Sequence, residues 1–247
     1  YGVVDGVYQS INYGVLPVDS AAAKALGAEA LKPEKSSNYS LGLTFQPSER
    51  LSFTADAYVI NVRDRITLTG TLLGPEVTQT LIANGIDSTS GGQYFTNGAD
   101  TRTKGVDLVG NYDQDLGALG SVKWTAAWNW NHTEILDYKQ SVDILGKDYE
   151  LMNRQARNFI TGVQPKTKLL LGSSWKLDDY TLTLGLTRYG AYREVNDAND
   201  RSLDRVYKAR WITDLDVGYQ LTKDLNLAIG AKNLFDVYPE RQNPSSK

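Results

Sequence analysis

The sequence predicts an all-β fold, an antiparallel meander of long strands, and three observations predict it. Apolar residues recur at every second position in eight segments of the 247-residue chain, and this alternation, not a helical period, dominates the pattern. The alternating segments come in pairs joined by short turn sequences. The pairs are joined in turn by long polar links, so connection lengths alternate short and long along the chain.

Composition narrows the classes. The chain carries 26 basic and 29 acidic side chains, a formal charge of -3. Such a near-balance leaves no basic footprint, and no nucleic-acid partner is expected. With no Cys there is no disulfide, thiolate metal site or cysteine nucleophile. No apolar run approaches the ~18 residues of a membrane helix, which leaves membrane crossing by strands open. No cationic-then-apolar leader opens the chain at Tyr1, so a mature product, or a piece of one, is expected.

Residues 1–33 fit the alternation least and are assigned to a loop region. Within it, Ser20 to Leu31 has strong helix propensity with Ser20 as N-cap, predicting a short surface helix ended near Pro33. The first strand pair sets Tyr39, Leu41, Leu43 and Phe45 against Leu51, Phe53, Ala55 and Ala57 across a turn at 46–50. The second runs Val106, Leu108, Gly110, Tyr112, turns at 114–120, and returns through Val122, Trp124, Ala126, Trp128 and Trp130. The third runs Leu169, Leu171, Ser173, Trp175, turns at 177–179, and returns through Leu182, Leu184 and Leu186. The fourth runs from Trp211 to Leu221, turns at 222–224, and returns through Leu225, Leu227, Ile229 and Ala231. These eight strands occupy residues 34–240, with 241–247 as the start of a further, truncated loop. The three links, at about 68–104, 134–165 and 194–208, are read as loops.

Short turns at one rim and long loops at the other are the layout of an outer-membrane barrel. A soluble β-sandwich or lipocalin-like barrel also alternates. Three features favour the membrane reading. The polar faces are small or hydroxylic (Ser40, Thr44; Ser52, Thr54; Thr181, Thr183), which suits a wet lumen. Aromatics stand at strand ends on the apolar face (Tyr39, Phe45, Trp124, Trp130, Trp175, Trp211, Tyr219), as interfacial girdles require. The strands approach the ~9–11 residues a tilted membrane strand needs. The expected fold is a segment of a transmembrane β-barrel, apolar faces outward and hydroxyl-rich faces inward.

Specific words in the chain then resemble a known family. Leu31-Lys32-Pro33-Glu34-Lys35-Ser36-Ser37-Asn38-Tyr39-Ser40-Leu41-Gly42 resembles the "L-K-P-E-x-S-x-x-x-E-x-G" strand entry of TonB-dependent outer-membrane receptors. Asp56-Ala57-Tyr58, followed by Asn61-Val62-Arg63-Asp64-Arg65-Ile66, is similar to their "D-x-Y…I-x-D-x-I" strand end. Thr103-Lys104-Gly105-Val106-Asp107 is similar to their "S-x-G-V-E" strand start, and Asn233-Leu234-Phe235-Asp236 with Tyr238 to their penultimate-strand signature. Four words in the right order, each at the correct strand end, cover residues 31–240. The family carries a Ton box, a plug domain and a 22-stranded barrel. None of the first two is recognised here, so the resemblance implies an internal piece of the C-terminal half of a receptor. It further implies the outer membrane as location, and membrane lipid, a plug domain, the remaining strands and TonB as partners. The implied cargo is a ferric siderophore, cobalamin, haem or a glycan. A passive porin-like channel and a soluble small-ligand barrel are the alternatives.

His132 is the only histidine, which removes His-based triads and multi-His metal sites within the chain, and no enzyme, metal site or cofactor is expected. Asp214 and Asp216 share a face about 7 Å apart by strand rise, inside the spacing of an inverting glycosidase pair. No apolar pocket is evident to raise one pKa, and a lumen-facing acidic patch is the better reading. The acidic loop from Asn196 to Asp204 has Arg201 and Ser202 where an EF-hand needs an oxygen ligand and a Gly. Rim residues Tyr94, Arg102, Tyr189, Tyr192, Arg193 and Arg210 are the expected substrate contacts, since Arg and Tyr suit an anionic, aromatic chelate.

Overall fold

The computed structural model describes residues 2–4, 7–9, 12–87 and 89–240. Eight strands make one sheet: β1 (Lys35–Ser48), β2 (Leu51–Leu68), β3 (Phe95–Asp115), β4 (Ser121–Tyr138), β5 (Thr167–Leu177), β6 (Tyr180–Tyr189), β7 (Arg210–Thr222) and β8 (Leu225–Ala231). Spatial order follows chain order, and every neighbouring pair is antiparallel. The meander is the expected one. The sheet is not closed on itself. The final stretch 241–247 lies outside the described residues.

Register explains how scattered apolar residues become one surface. Leu43 lies opposite Ala55, Ala55 opposite Leu108, Leu108 opposite Trp128 and Trp128 opposite Leu169. Because side chains alternate strictly between faces, this row and those beside it share one side of the sheet. That side is not covered: Leu41, Leu43, Phe45 and Ile229 are 58–79 % exposed. An apolar surface of this extent costs too much in water and is stable against lipid tails. Aromatics border it on both sides. Trp124 and Trp175 near the short turns donate their indole N–H to Gln114 Oε1 (2.9 Å) and Leu119 O (2.7 Å). Each ring thus presents an apolar body and a satisfied polar edge, as an interface demands.

The turns are built from residues that tolerate the backbone they require. Asp178 has φ 49° in the β5–β6 turn. Gly120 has φ 82°, and a Cβ there would stand 2.1 Å from the Lys176 carbonyl oxygen, so this turn demands glycine.

Two sequence expectations need correction. The links are shorter than 68–104 and 134–165, because β2, β3 and β4 run 18, 21 and 18 residues. Residues 95–104 and 134–138 are strand. Alternation is illegible because both faces turn polar in 96–104 and because Ile135 and Leu136 are adjacent in 134–138, yet backbone pairing continues through Lys104–His132 and Arg102–Glu134. The early helix α1 (Ala21–Ala25) is capped as expected, with Ser20 Oγ accepting from Ala23 N at 3.1 Å. It ends at Leu26–Gly27, well before Pro33, because Gly27 adopts φ 89°. Nor is it a surface helix: Ala22, Ala23 and Leu26 are buried.

That burial defines a cap over the long-loop rim. Tyr13–Val15 pairs in parallel with Gly91–Gln93, which pairs with Leu72–Leu73. Helix α2 (Pro75–Ala83) and the hairpin Ser141–Ile144/Lys147–Glu150 complete it. Leu26, Leu72, Val77, Leu81, Tyr94 and Ile144 form its core, all at most 2 % exposed. Three segments distant in sequence thereby fold as one small globular unit.

Candidate functional site

The polar face of the sheet carries a cross-strand row. Asp56 lies opposite Asp107, Asp107 opposite Asn129, Asn129 opposite Lys168, Lys168 opposite Tyr189 and Tyr189 opposite Arg210. Asn129 Nδ2 donates to Asp107 Oδ1 at 2.5 Å, and Asn131 Nδ2 donates to Asn129 Oδ1 at 3.1 Å. Beside them Thr125 donates to Asn111 (3.0 Å), and the hydroxyls of Thr103 and Thr133 share a hydrogen bond (2.8 Å). These are the bonds a water-lined wall makes when its side chains are short and polar.

At the loop end the row becomes cationic and aromatic. Lys168 Nζ sits 5.2 Å from the centroid of the Tyr189 ring. Arg210 Nη2 pairs with Glu240 Oε1 at 3.0 Å, while its Nε is buried without a hydrogen-bond partner among the described residues. Helix α3 (Arg154–Thr161) folds over this same polar face. Its C-terminal end and residues 162–166 enclose a polar cavity of about 190 Å³ against Arg65, Thr103, Asn131 and Thr133. Arg157 Nη1 reaches Tyr138 Oη (3.3 Å), tying the helix to β4.

A second tie joins α3 to the β6–β7 connection. Asp204, its side chain 5 % exposed, accepts from Arg154 and, at 2.7 Å, from Arg193 Nη2. The hydrogen bond from Arg154 holds the Asp204 carboxyl below its usual range, its charge and that of Arg193 adding to the effect. Asn158 donates to Arg193 O and accepts from Val195 N. The hairpin Tyr192–Glu194/Arg205–Tyr207 is closed by stacking of Tyr192 on Tyr207, with centroids 4.7 Å apart.

The six expected contacts therefore separate. Tyr189 and Arg210 are adjacent on the polar face. Tyr192 and Arg193 stand above them in the hairpin, Arg193 engaged by Asp204. Tyr94 is fully buried in the cap, its hydroxyl donating to Leu26 O at 3.0 Å, and burial pushes its pKa up to about 12. It presents no surface to a ligand. Arg102 lies on the opposite, apolar face, in line with Val106 and Leu108. Lys168, Asn129 and Asp107 were missed, although the alternation Leu169, Leu171, Ser173, Trp175 already places Lys168 on the polar face. Asp214 is structural: its Oδ1 accepts from Asn233 N (2.7 Å). Asn233 and Asp236 both take φ 51° in the Asn-Leu-Phe-Asp turn that this bond anchors. In the acidic loop Asp197 Oδ1 accepts from the backbones of Asn199 and Asp200, a local turn bond.

An exposed apolar band, aromatic borders and a polar wall define a segment of an outer-membrane β-barrel protein. The chain belongs to the family of TonB dependent receptor-like beta-barrels, whose model matches residues 5–234. No curated protein sequence matches it. Solved structures share the fold. The pyoverdine outer membrane receptor FpvA from Pseudomonas aeruginosa PAO1 superposes with TM-score 0.55 at 18 % identity, over 86 % of this chain and 27 % of that one. The outer membrane transporter YddB from Escherichia coli gives 0.57 at 10 %, over 85 % and 30 %. The FrpB iron transporter from Neisseria meningitidis gives 0.57 at 12 %, over 86 % and 29 %. The chain thus spans less than a third of the length of these neighbours, which are named as receptors and transporters. A further solved structure of the same fold is that of an FpvAI–pyocin S2 complex.

Proposed function

We propose that residues 34–240 form part of the barrel of an energy-coupled receptor that imports a scarce, large substrate across the outer membrane. A plug domain lies against the Asp56–Arg210 row, TonB supplies the energy, and the role is transport with no catalytic step. The long-loop rim faces the outside. The observation that carries this reading is the polar row ending in Lys168, Tyr189 and Arg210, on the face opposite the lipid-facing apolar band. A cation, an aromatic ring and a guanidinium in line suit an anionic metal chelate, through charge and stacking, over a neutral glycan.

The test is uptake of labelled ferric chelates, cobalamin, haem and oligosaccharides by cells expressing the full receptor, with and without TonB. TonB-dependent uptake of an anionic chelate, reduced at least tenfold by Tyr189→Ala with Arg210→Ala, supports the proposal. TonB-independent passage of small solutes would establish a passive channel instead.

A further inference from the structure

Arg102 stands on the lipid-facing side of the sheet. Directly above the loop-side aromatics Tyr39 and Trp130, the outer face changes from apolar to basic. Lys35 lies opposite Arg63, Asn61 opposite Arg102, and Val59 opposite Lys104. Like charges placed directly opposite each other destabilise a sheet unless something compensates them. Lys104 has Glu134 at 3.6 Å. Lys35 and Arg63 have no ion-pair partner among the described residues; Arg102 lies opposite Glu134, which pairs with Lys104, and its Nε donates to Asn61 Oδ1 at 2.7 Å.

These groups converge on one depression of about 340 Å³, bordered by Lys35, Ser37, Arg63, Asp100 and Arg102. Asp100 is the one carboxylate there, and its Oδ1 accepts from Asp64 N at 2.9 Å. Three cations, an amide and a hydroxyl thus surround a pocket whose lower lip is Tyr39, 70 % exposed, followed by Leu41, 79 % exposed. A ligand filling it carries anionic oxygens at one end and hydrocarbon at the other. Guanidinium groups match phosphate oxygens in geometry as well as charge.

We propose that this outer-face pocket binds the phosphorylated headgroup of the outer-leaflet glycolipid, whose acyl chains lie over Tyr39, Leu41 and Leu43. Arg102 is then a lipid anchor, separate from the lumenal cluster of Lys168, Tyr189 and Arg210. The inference rests on the long-loop rim facing the outside.

The full receptor, purified from outer membranes in detergent, tests it by native mass spectrometry of retained lipid. Wild type is expected to keep a phosphorylated glycolipid. The R63Q/R102Q variant loses at least fivefold of it, R63K/R102K keeps an intermediate amount, and K176Q on the polar face keeps the wild-type amount. Heat-modifiable gel mobility confirms that each barrel is folded. Equal retention in wild type and R63Q/R102Q, or displacement of the lipid by inorganic phosphate alone, would overturn the proposal. An inner-leaflet phospholipid at this site would overturn the orientation with it. Absence of lipid, with the loops labelled from outside, would overturn the lipid site alone.

Discussion

In the cap, Tyr94 and Leu26 are fully buried, whereas Leu41 and Ile229 on the sheet are 79 % and 78 % exposed. The cap is built as a water-soluble domain is, with side chains from α1, α2 and the hairpin at 141–150 enclosing one another. The sheet inverts this. Its polar side chains hydrogen-bond across the inner wall, and its apolar ones need a partner that the polypeptide does not supply. The same residue types are thus stabilised by protein in one region and by membrane in the other, so one kind of substitution should read differently in each.

Tyr94→Ala should separate the regions most clearly. Emptying a fully buried aromatic site costs about 3–5 kcal/mol, enough to open the cap locally. Limited proteolysis of the full receptor should then cut within 69–94, while heat-modifiable mobility of the barrel is retained. Loss of both would show that cap and sheet fold as one unit. Ala55→Arg, in the middle of the apolar band, should cost about 2–4 kcal/mol in lipid, whereas Thr54→Arg one residue away faces the lumen and should cost much less. Urea titration in lipid vesicles measures both, and equal costs would contradict the assigned faces.

The tie at Asp204 should respond to acid. Its carboxyl titrates lower in the folded than in the unfolded chain. The stabilisation is therefore present above the unfolded value and lost as pH falls through the depressed one. Hydrogen exchange in residues 190–209 should rise at that lower pH, and Asp204→Asn should raise it already at neutral pH. The smallest effect belongs to Ser20→Ala, which removes the α1 cap at a cost of about 1 kcal/mol. It should quicken exchange in 21–26 and leave the sheet unaffected.

The eight strands were legible because lipid on one side and water on the other force a strict period of two. Leu41, Leu43 and Phe45 announce their face without any knowledge of their neighbours. The upper ends of β3 and β4 were not legible, since Thr101, Arg102, Thr103 and Lys104 stand where both faces are polar and only backbone pairing persists. The cap was hidden for another reason: its core joins Leu26, Tyr94 and Ile144 across long stretches of chain, and no local pattern encodes such a meeting. Tyr189 and Arg210 could be proposed from composition near a rim. That they are neighbours, and that Arg102 turns away from them, follows only from register.

The pairing register also bears on how such a chain travels before it folds. Its mean hydropathy is -0.38, and the strands interleave their apolar residues with polar or small ones. The unfolded polypeptide therefore offers no continuous apolar run that could stop in a membrane as a helix. Only when neighbouring strands align do Leu43, Ala55, Leu108, Trp128 and Leu169 come to lie side by side. Affinity for lipid is acquired as the strands pair.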